Sequence, residues 1–265
     1  MNTSYRPVQG SRRGRAVAML VSLAVVLTAA ACKDTNAGAQ DTSKPATNSA
    51  SSTPASVASG PGVSAAGVSV ADTLSDSALM VRADIGRLSG RDSAPIWVVV
   101  ISDFQCPYCK MWHDTTYTSL VRDYVNTGKV RLAYLNLPLG QHPHARAEAG
   151  ASLCAGVQGK FWPYADGLFH QQDAVARMGS VDGLLDSLGR AQSLEMTEFA
   201  RCRKSNAIRN LIDSDIRQAE GSGARSTPTI LVGNFIIQGV TPYKDFRKAV
   251  DTALFVARNA AKAKR

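Results

Sequence analysis

The stretch Ile96-Trp97-Val98-Val99-Val100-Ile101-Ser102-Asp103-Phe104-Gln105-Cys106-Pro107-Tyr108-Cys109-Lys110 decides the fold. Ile96 to Ile101 is a short, continuous, β-branched run of the kind a buried central strand requires. Pro107 suits the first position of a helix, where its missing N–H would be unpaired anyway. The two cysteines, separated by two residues, then fall at the helix start and one turn in, a spacing that can close a small disulfide ring. The Cys106 sulfur would face free backbone N–H groups and the positive end of the helix dipole, which favours its thiolate. A thiolate so favoured is a better leaving group, and its disulfide is more oxidising.

Outward from this junction, Tyr117, Leu120, Val121, Tyr124 and Val125 repeat at three-and-four spacing, and Gly128 lies where a left-handed C-terminal cap would sit. Residues 129–137 (KVRLAYLNL) alternate as a second strand, giving β-α-β. Residues 143–222 read as helix throughout, in segments 145–157, 160–171, 181–188, 195–204 and 207–220. In the last of these Ile208, Leu211, Ile212, Ile216 and Ala219 form one stripe. TILV (229–232) and FIIQ (235–238) flank Gly233-Asn234 as a tight hairpin, and a final helix carries Phe246, Ala249, Val250, Ala253, Leu254 and Ala257. The order is β-α-β, a helical block, then β-β-α.

With these residues in place, the chain resembles the DsbA-like thiol-disulfide oxidoreductases, thioredoxin-fold proteins of the bacterial envelope. The resemblance rests on Asp103 to Lys110, on Ser226-Thr227-Pro228-Thr229 followed by a hairpin and Gly239, and on Gly159-Lys160-Phe161-Trp162 with Leu168-Phe169. It covers about residues 84–255 and implies an α/β thioredoxin fold with an inserted all-helical domain. It also implies Cys106 as the nucleophile that forms a mixed disulfide with a client protein, and Cys109 as the shielded thiol that resolves it. Pro228, in the cis state, would lie beside the pair, with Thr227 contacting the sulfurs and offering its backbone to an extended client strand. One position departs from the pattern: six residues before the first cysteine, where the family commonly carries a buried acid, stands Val100. Asp103 is nearer, but a carboxylate just before a helix is read as a solvated cap. Lys110 either favours a nearby negative charge or is simply surface.

Cys154 and Cys202 fall in two different helices of the inserted block and can staple it, as a second disulfide of some relatives does; the alternative is two unpaired buried thiols. Closing that loop contributes roughly 4 kcal/mol in the chain-entropy model. His113, His142, His144 and His170 show no metal-ligand spacing and are read as surface or capping residues. A zinc site from Cys106, Cys109, Cys154 and Cys202 is the competing metal reading; the expectation is no metal and no cofactor. Trp97, Trp112 and Trp162, with Phe161, are expected to pack.

The N-terminal segment speaks to compartment. Residues 1–15 are basic without an acid, and residues 16–31 (AVAMLVSLAVVLTAAA) carry no charge, the shape of a secretory signal. Sixteen residues reach roughly 24 Å as a helix, short of the ~30 Å hydrocarbon core. Cys32 after Ala29-Ala30-Ala31 resembles a lipobox cysteine, although Ala29 stands where Leu is usual, so cleavage after Ala31 or Ala39 is the alternative. Of five cysteines, four can pair in an oxidising compartment, and a lipid accounts for the fifth. Residues 33–75 are mostly Ser, Ala, Thr, Gly, Pro and Asn without an aromatic residue, a low-complexity tether spanning roughly 35–40 Å.

The organisation expected is a signal peptide (1–31), a disordered tether (32–78) and a thioredoxin-fold domain (79–265) whose helical insertion occupies about 143–222. Lys and Arg number 30 against 21 Asp and Glu, but eight cations sit at the two tails, and residues 32–256 carry 22 against 21. That balance excludes a nucleic-acid surface spread over the fold. The expected activity is exchange of the Cys106-Cys109 disulfide with cysteines of exported client proteins, as a dithiol oxidase. Reduction or isomerisation is the alternative, as is a redox-inert binding protein with a structural bridge. A membrane redox partner that resets the pair, a lipid anchor, a periplasmic or outer-face location and a monomer complete the expectation.

Overall fold

The computed structural model describes residues 6–7 and 74–263. The remainder of the signal segment, Cys32 and the tether up to residue 73 lie outside the described residues. The described strands are β1 (Arg6–Pro7), β2 (Leu88–Ser89), β3 (Ile96–Ser102), β4 (Val130–Asn136), β5 (Thr229–Val232) and β6 (Phe235–Gln238). They form one mixed sheet in the order β1-β6-β5-β3-β4-β2. β3 and β4 are parallel in the register Ile96↔Val130 to Ser102↔Asn136, β5 runs antiparallel to β3, and the β5-β6 hairpin turns at Gly233-Asn234. This is a thioredoxin fold with a helical insertion.

The centre of the sheet follows from the side-chain period of two. Val98 and Val100 point into an apolar layer with Leu132, Ile230 and Val232, closed by Trp112, Leu120 and Tyr124 on one side chain set and Phe246, Val250 and Leu254 on another. Ile101 lies in a second, smaller cluster with Leu137, Ala219 and Ala224. Buried and half-buried residues alternate strictly along β4. The parallel β3-β4 pair needs a long crossover, and a helical rod over 107–125, α2, supplies it. That rod is α-helical over Pro107–Trp112, π-helical over His113–Tyr117 and again over Val121–Val125, with an α turn Thr118–Leu120 between. Thr115 donates its hydroxyl to the Met111 carbonyl at 2.7 Å, competing for an acceptor that a regular ladder would use. Gly128, with φ +74°, ends the rod as the cap requires.

The insertion comprises α3 (Ala145–Val157), α4 (Phe161–His170), α5 (Gln172–Val175), α6 (Asp182–Ala191), α7 (Met196–Lys204) and α8 (Asn206–Gly221), and the chain closes with α9 (Tyr243–Ala263). Its core holds Leu153, Phe161, Tyr164, Leu168, Leu185, Phe199 and Ile208, and the same cluster contains both Cys106 and Cys109.

One further helix, α1 (Asp76–Gly86), precedes the sheet. The Ser75 hydroxyl accepts from the Ala78 N–H at 3.3 Å to start it, so helix begins three residues ahead of the expected boundary at 79. Only Leu79 and Ala83 of α1 are buried, too few to signal a helix by periodicity. Contact with α3 holds it instead: a Cβ added at Gly86 would lie 2.2 Å from the Gly156 carbonyl oxygen, so the backbones meet where no side chain fits. After α1, Arg87 pairs with buried Asp215, whose Oδ2 also accepts from the Asn136 backbone (3.1 Å) and side-chain amide (3.0 Å). This knot ties α1 and α8 to β4. Among the described residues, no helix is long and apolar enough to cross a membrane.

Candidate functional site

Cys106 occupies the N-cap of α2 in extended conformation, φ −76° and ψ 119°, with Pro107 in the first helical turn. Its carbonyl accepts from the Cys109 N–H at 2.9 Å and the Lys110 N–H at 3.2 Å, which fixes the loop and leaves the sulfur over the start of the helix. Both cysteines are free thiols; Cys106 is 4% and Cys109 1% exposed. The Asp103 N–H points at the Cys109 sulfur from 3.5 Å.

The two thiols are driven in opposite directions. The Cys109 S–H donates to the Cys106 sulfur and, against the cost of burial, lowers its pKa to about 5, helped by Thr227 and by the backbone N–H groups of Cys109 and Tyr108. Cys109 is pushed well above the ordinary thiol value, first by burial and then by the neighbouring Cys106 sulfur. A pair so divided is equipped for exchange: one sulfur carries charge at neutral pH and the other holds its proton.

Opposite the pair, the Thr227-Pro228 bond is cis. The Cys106 thiol donates to the Thr227 carbonyl at 3.4 Å, so the two segments meet across 121 residues of chain. The Gly239 N–H donates to the Pro228 carbonyl at 2.8 Å, and Thr229 donates its hydroxyl to the Ser226 carbonyl at 2.7 Å, holding the loop to the β5-β6 hairpin. Beside it an open groove of about 680 Å³ is lined by Tyr108, Met111, Thr227, Val240, Pro242 and Tyr243, among others. Tyr108 and Met111 stand 60% and 49% exposed, conspicuous for large apolar side chains.

The structure departs from the sequence reading at several polar residues. Asp103 is not a solvated cap: it is 2% exposed and accepts from the Gln105 and Leu139 N–H groups at 2.7 Å each, with His142 Nδ1 also 2.7 Å away. Burial was invisible because the enclosing residues lie more than thirty positions away in the chain. His113 is likewise buried, stacked on Tyr117 and against Phe169, with Nε2 2.9 Å from Asp166; burial holds its pKa below the ordinary histidine value. Trp97 is 42% exposed and lies under the Arg131 guanidinium, 4.7 Å from its ring centre, rather than in the core. Lys110 pairs with Asp114 at 2.7 Å on the surface of α2. Val100 is buried and apolar, with no acid at that position.

Gln172 carried no sequence signal at all. Buried at the start of α5, it donates to the Phe104 carbonyl at 2.6 Å and the Cys106 carbonyl at 3.1 Å, clamping the cysteine loop from the insertion. Cys154 and Cys202 join α3 to α7 through a disulfide, with Cα atoms 5.7 Å apart. They are therefore not free to share a metal with Cys106 and Cys109, and the four-cysteine zinc arrangement is not assembled. Among the described residues, no cluster of His, Cys, Asp and Glu has the make-up of a metal site.

A family model described as thioredoxin matches residues 83–252. A probable disulfide bond formation protein D of Bacillus cereus is 26% identical over 168 residues, which are 62% of this chain and 77% of that protein. Among solved structures, BdbD from Bacillus subtilis in its oxidised form superposes with a TM-score of 0.57 at 23% identity, over 63% of this chain and 92% of its own. Alpha-DsbA1 of Wolbachia pipientis superposes with a TM-score of 0.59 at 20% identity, over 66% of this chain and 94% of its own. Both share the fold.

Proposed function

Since the chain belongs to the thioredoxin family, we propose that it is a DsbA-like thiol-disulfide oxidoreductase that passes the Cys106-Cys109 disulfide to cysteine pairs of exported client proteins. The observation that carries this reading is the placement of two free thiols at a helix start facing the cis Thr227-Pro228 loop, with Cys106 favoured as the thiolate and Cys109 held as the thiol. A client thiolate attacks the Cys106 sulfur of the oxidised enzyme, the bond to Cys109 breaks, and Cys109 takes the electron pair and a proton. A second client thiolate attacks the client sulfur of the mixed disulfide, and Cys106 leaves as a thiolate. The client gains a disulfide and the enzyme gains two electrons. The low Cys106 pKa speeds this departure and favours the oxidase direction over reduction or isomerisation. The groove beside Thr227, with Tyr108 and Met111 exposed, suits apolar residues flanking a client cysteine, and the Thr227 backbone suits an extended client segment.

In this reading residues 1–31 direct export, Cys32 carries a lipid, and the tether holds the domain of residues 79–265, whose first helix starts at Asp76, off the membrane as a monomer. Export is supported by the charge-free segment 16–31 and by the Cys154-Cys202 bond, which belongs in an oxidising compartment. Return of the enzyme to its oxidised form falls to a membrane redox partner.

The test is oxidation of a reduced two-cysteine peptide by the purified protein. Wild type turns it over with an external oxidant, whereas Cys106→Ser, which lacks the attacked sulfur, and Cys109→Ala, which has no disulfide to pass on, do not. Full turnover by the Cys106 variant, or a reduction potential below about −300 mV, overturns the reading, because such a bond is a structural link. Mass spectrometry of the mature N-terminus decides between a lipidated Cys32 and cleavage after Ala31 or Ala39.

A further inference from the structure

Opening the disulfide leaves electron density on Cys109, the thiol least able to hold it, and nothing in the exchange reading says where its proton comes from. Val100 removes the usual source. Another carboxyl stands on α3. The segment before this helix is fastened to the cysteine loop: Asp103 accepts from Leu139 and lies against His142, and the His144 N–H donates to the Gln105 side chain at 2.8 Å. One turn in, Glu148 donates its N–H to the His144 carbonyl at 3.0 Å. Its side chain is wholly buried, and neither carboxyl oxygen has a hydrogen-bond partner. An unpartnered carboxyl is expensive to enclose, and more so when ionised.

Tyr134 of β4 connects this carboxyl to the sulfur. It is 3% exposed, packed face to face on Phe104 with ring centres 5.1 Å apart, and its hydroxyl lacks a well-formed hydrogen bond. Burial, and then the charges of Cys109, Asp103 and Glu148, push its pKa up, while Ser102 lies near enough to oppose the shift at both Tyr134 and Cys109. Cys109, Ser102, Tyr134 and Glu148 are thus buried polar groups of one core, with the Tyr134 hydroxyl and both Glu148 oxygens unbonded.

We infer that Glu148 is the positioning residue for the Cys109 proton, giving it up through the Tyr134 and Ser102 hydroxyls when the Cys106-Cys109 bond opens and taking it back when the bond is remade. The inference rests on the exchange reading above. In the opening step a client thiolate forms a bond to the Cys106 sulfur, the Cys106-Cys109 bond breaks, and its electron pair stays on Cys109. One proton passes from the Glu148 carboxyl to Cys109 by way of the Tyr134 and Ser102 hydroxyls, which turn into hydrogen-bonding contact as the bond opens, leaving a carboxylate and a thiol. No electron acceptor beyond the disulfide is needed. Glu148 is suited to this task because burial, reinforced by Asp103, raises its pKa to about 8, so that it is protonated at neutral pH. The titratable groups that face it are Asp103, Tyr134 and Tyr164, with Cys109 beyond Tyr134.

The experiment follows reduction of the oxidised protein by dithiothreitol from pH 6 to 10 in wild type, Glu148→Gln and Glu148→Asp, with each rate divided by the reductant's thiolate concentration. In wild type this quotient is expected to fall about tenfold across an inflection near pH 8; in Glu148→Gln it is at least about tenfold lower at pH 7 and flat, and Glu148→Asp restores an inflection. A folded Glu148→Gln protein with the wild-type rate and profile overturns the inference while leaving the exchange reading intact. A wild-type bond that resists the dithiol overturns both. Should Glu148→Gln fail to fold, the carboxyl carbon resonance of Glu148 in the wild-type protein decides. A midpoint near 8 that moves when the disulfide is reduced supports the assignment, and a midpoint in the ordinary carboxylate range, or one blind to reduction, overturns it.

Discussion

Reducing the Cys106-Cys109 bond should stabilise this protein at neutral pH, by an amount that the Cys106 thiolate sets. A thiol of ordinary pKa 9.0 in the unfolded chain and about 5 in the fold contributes nothing below pH 5, where both states hold the proton. As a depressed pKa requires, the contribution appears above pH 5, grows by about 1.4 kcal/mol per pH unit and is complete above pH 9. At pH 7 it amounts to about 3 kcal/mol, equivalent to roughly 60 mV of added oxidising power for a two-electron couple. The measurement is thiolate absorbance of the reduced protein against pH, paired with denaturant unfolding of reduced and oxidised forms at pH 4 and pH 7. The reduced form is expected to gain about 3 kcal/mol relative to the oxidised form between those two pH values. Cys109→Ala, which removes the S–H donor that contributes most to the depression, should move the absorbance midpoint upward. A midpoint near 9, or a stability difference that does not change with pH, refutes the reasoning.

Other perturbations test the frame around the site. Asp215→Asn leaves Arg87 paired with the more exposed Asp84 and should cost about 1.5–3 kcal/mol in denaturant unfolding. Gly86→Ala places a methyl group against the Gly156 carbonyl, and a melting temperature within a degree of wild type would contradict the close approach of α1 and α3. Gln172→Ala frees two loop carbonyls; it should lower stability by about 1–2 kcal/mol and slow peptide oxidation, while Gln172→Glu, with no amide to donate, should fare no better. Glu148 makes folding take up a proton between pH 4.5 and about 8, so stability is greatest below that window and declines through it; Glu148→Gln should flatten this decline, read by unfolding at pH 5 and pH 9.

What could be read in advance followed from local chemistry. The β-branched run over 96–101, the Gly233-Asn234 turn and the cysteine spacing each state their conformation within a few residues, and strands β5 and β6 begin and end where that chemistry places them. Gly128 likewise announces its positive φ. Whatever depends on distant partners was silent. Asp103, His113 and Gln172 look like surface residues because the side chains that enclose them come from elsewhere in the chain. Glu148 sits in an alanine-rich helix buried on nearly every side, so no polar face marked it out. Helix α1 lacks an apolar stripe, since it approaches α3 through glycine rather than through large side chains. Local pattern encodes elements well, whereas the depth of a polar group is a property of the assembled core.

The Cys154-Cys202 bond gives the molecule a history as well as a shape. Joining those two sulfurs removes two electrons and two protons from each newly made chain, so an oxidant must act on every copy before its fold is fully stapled.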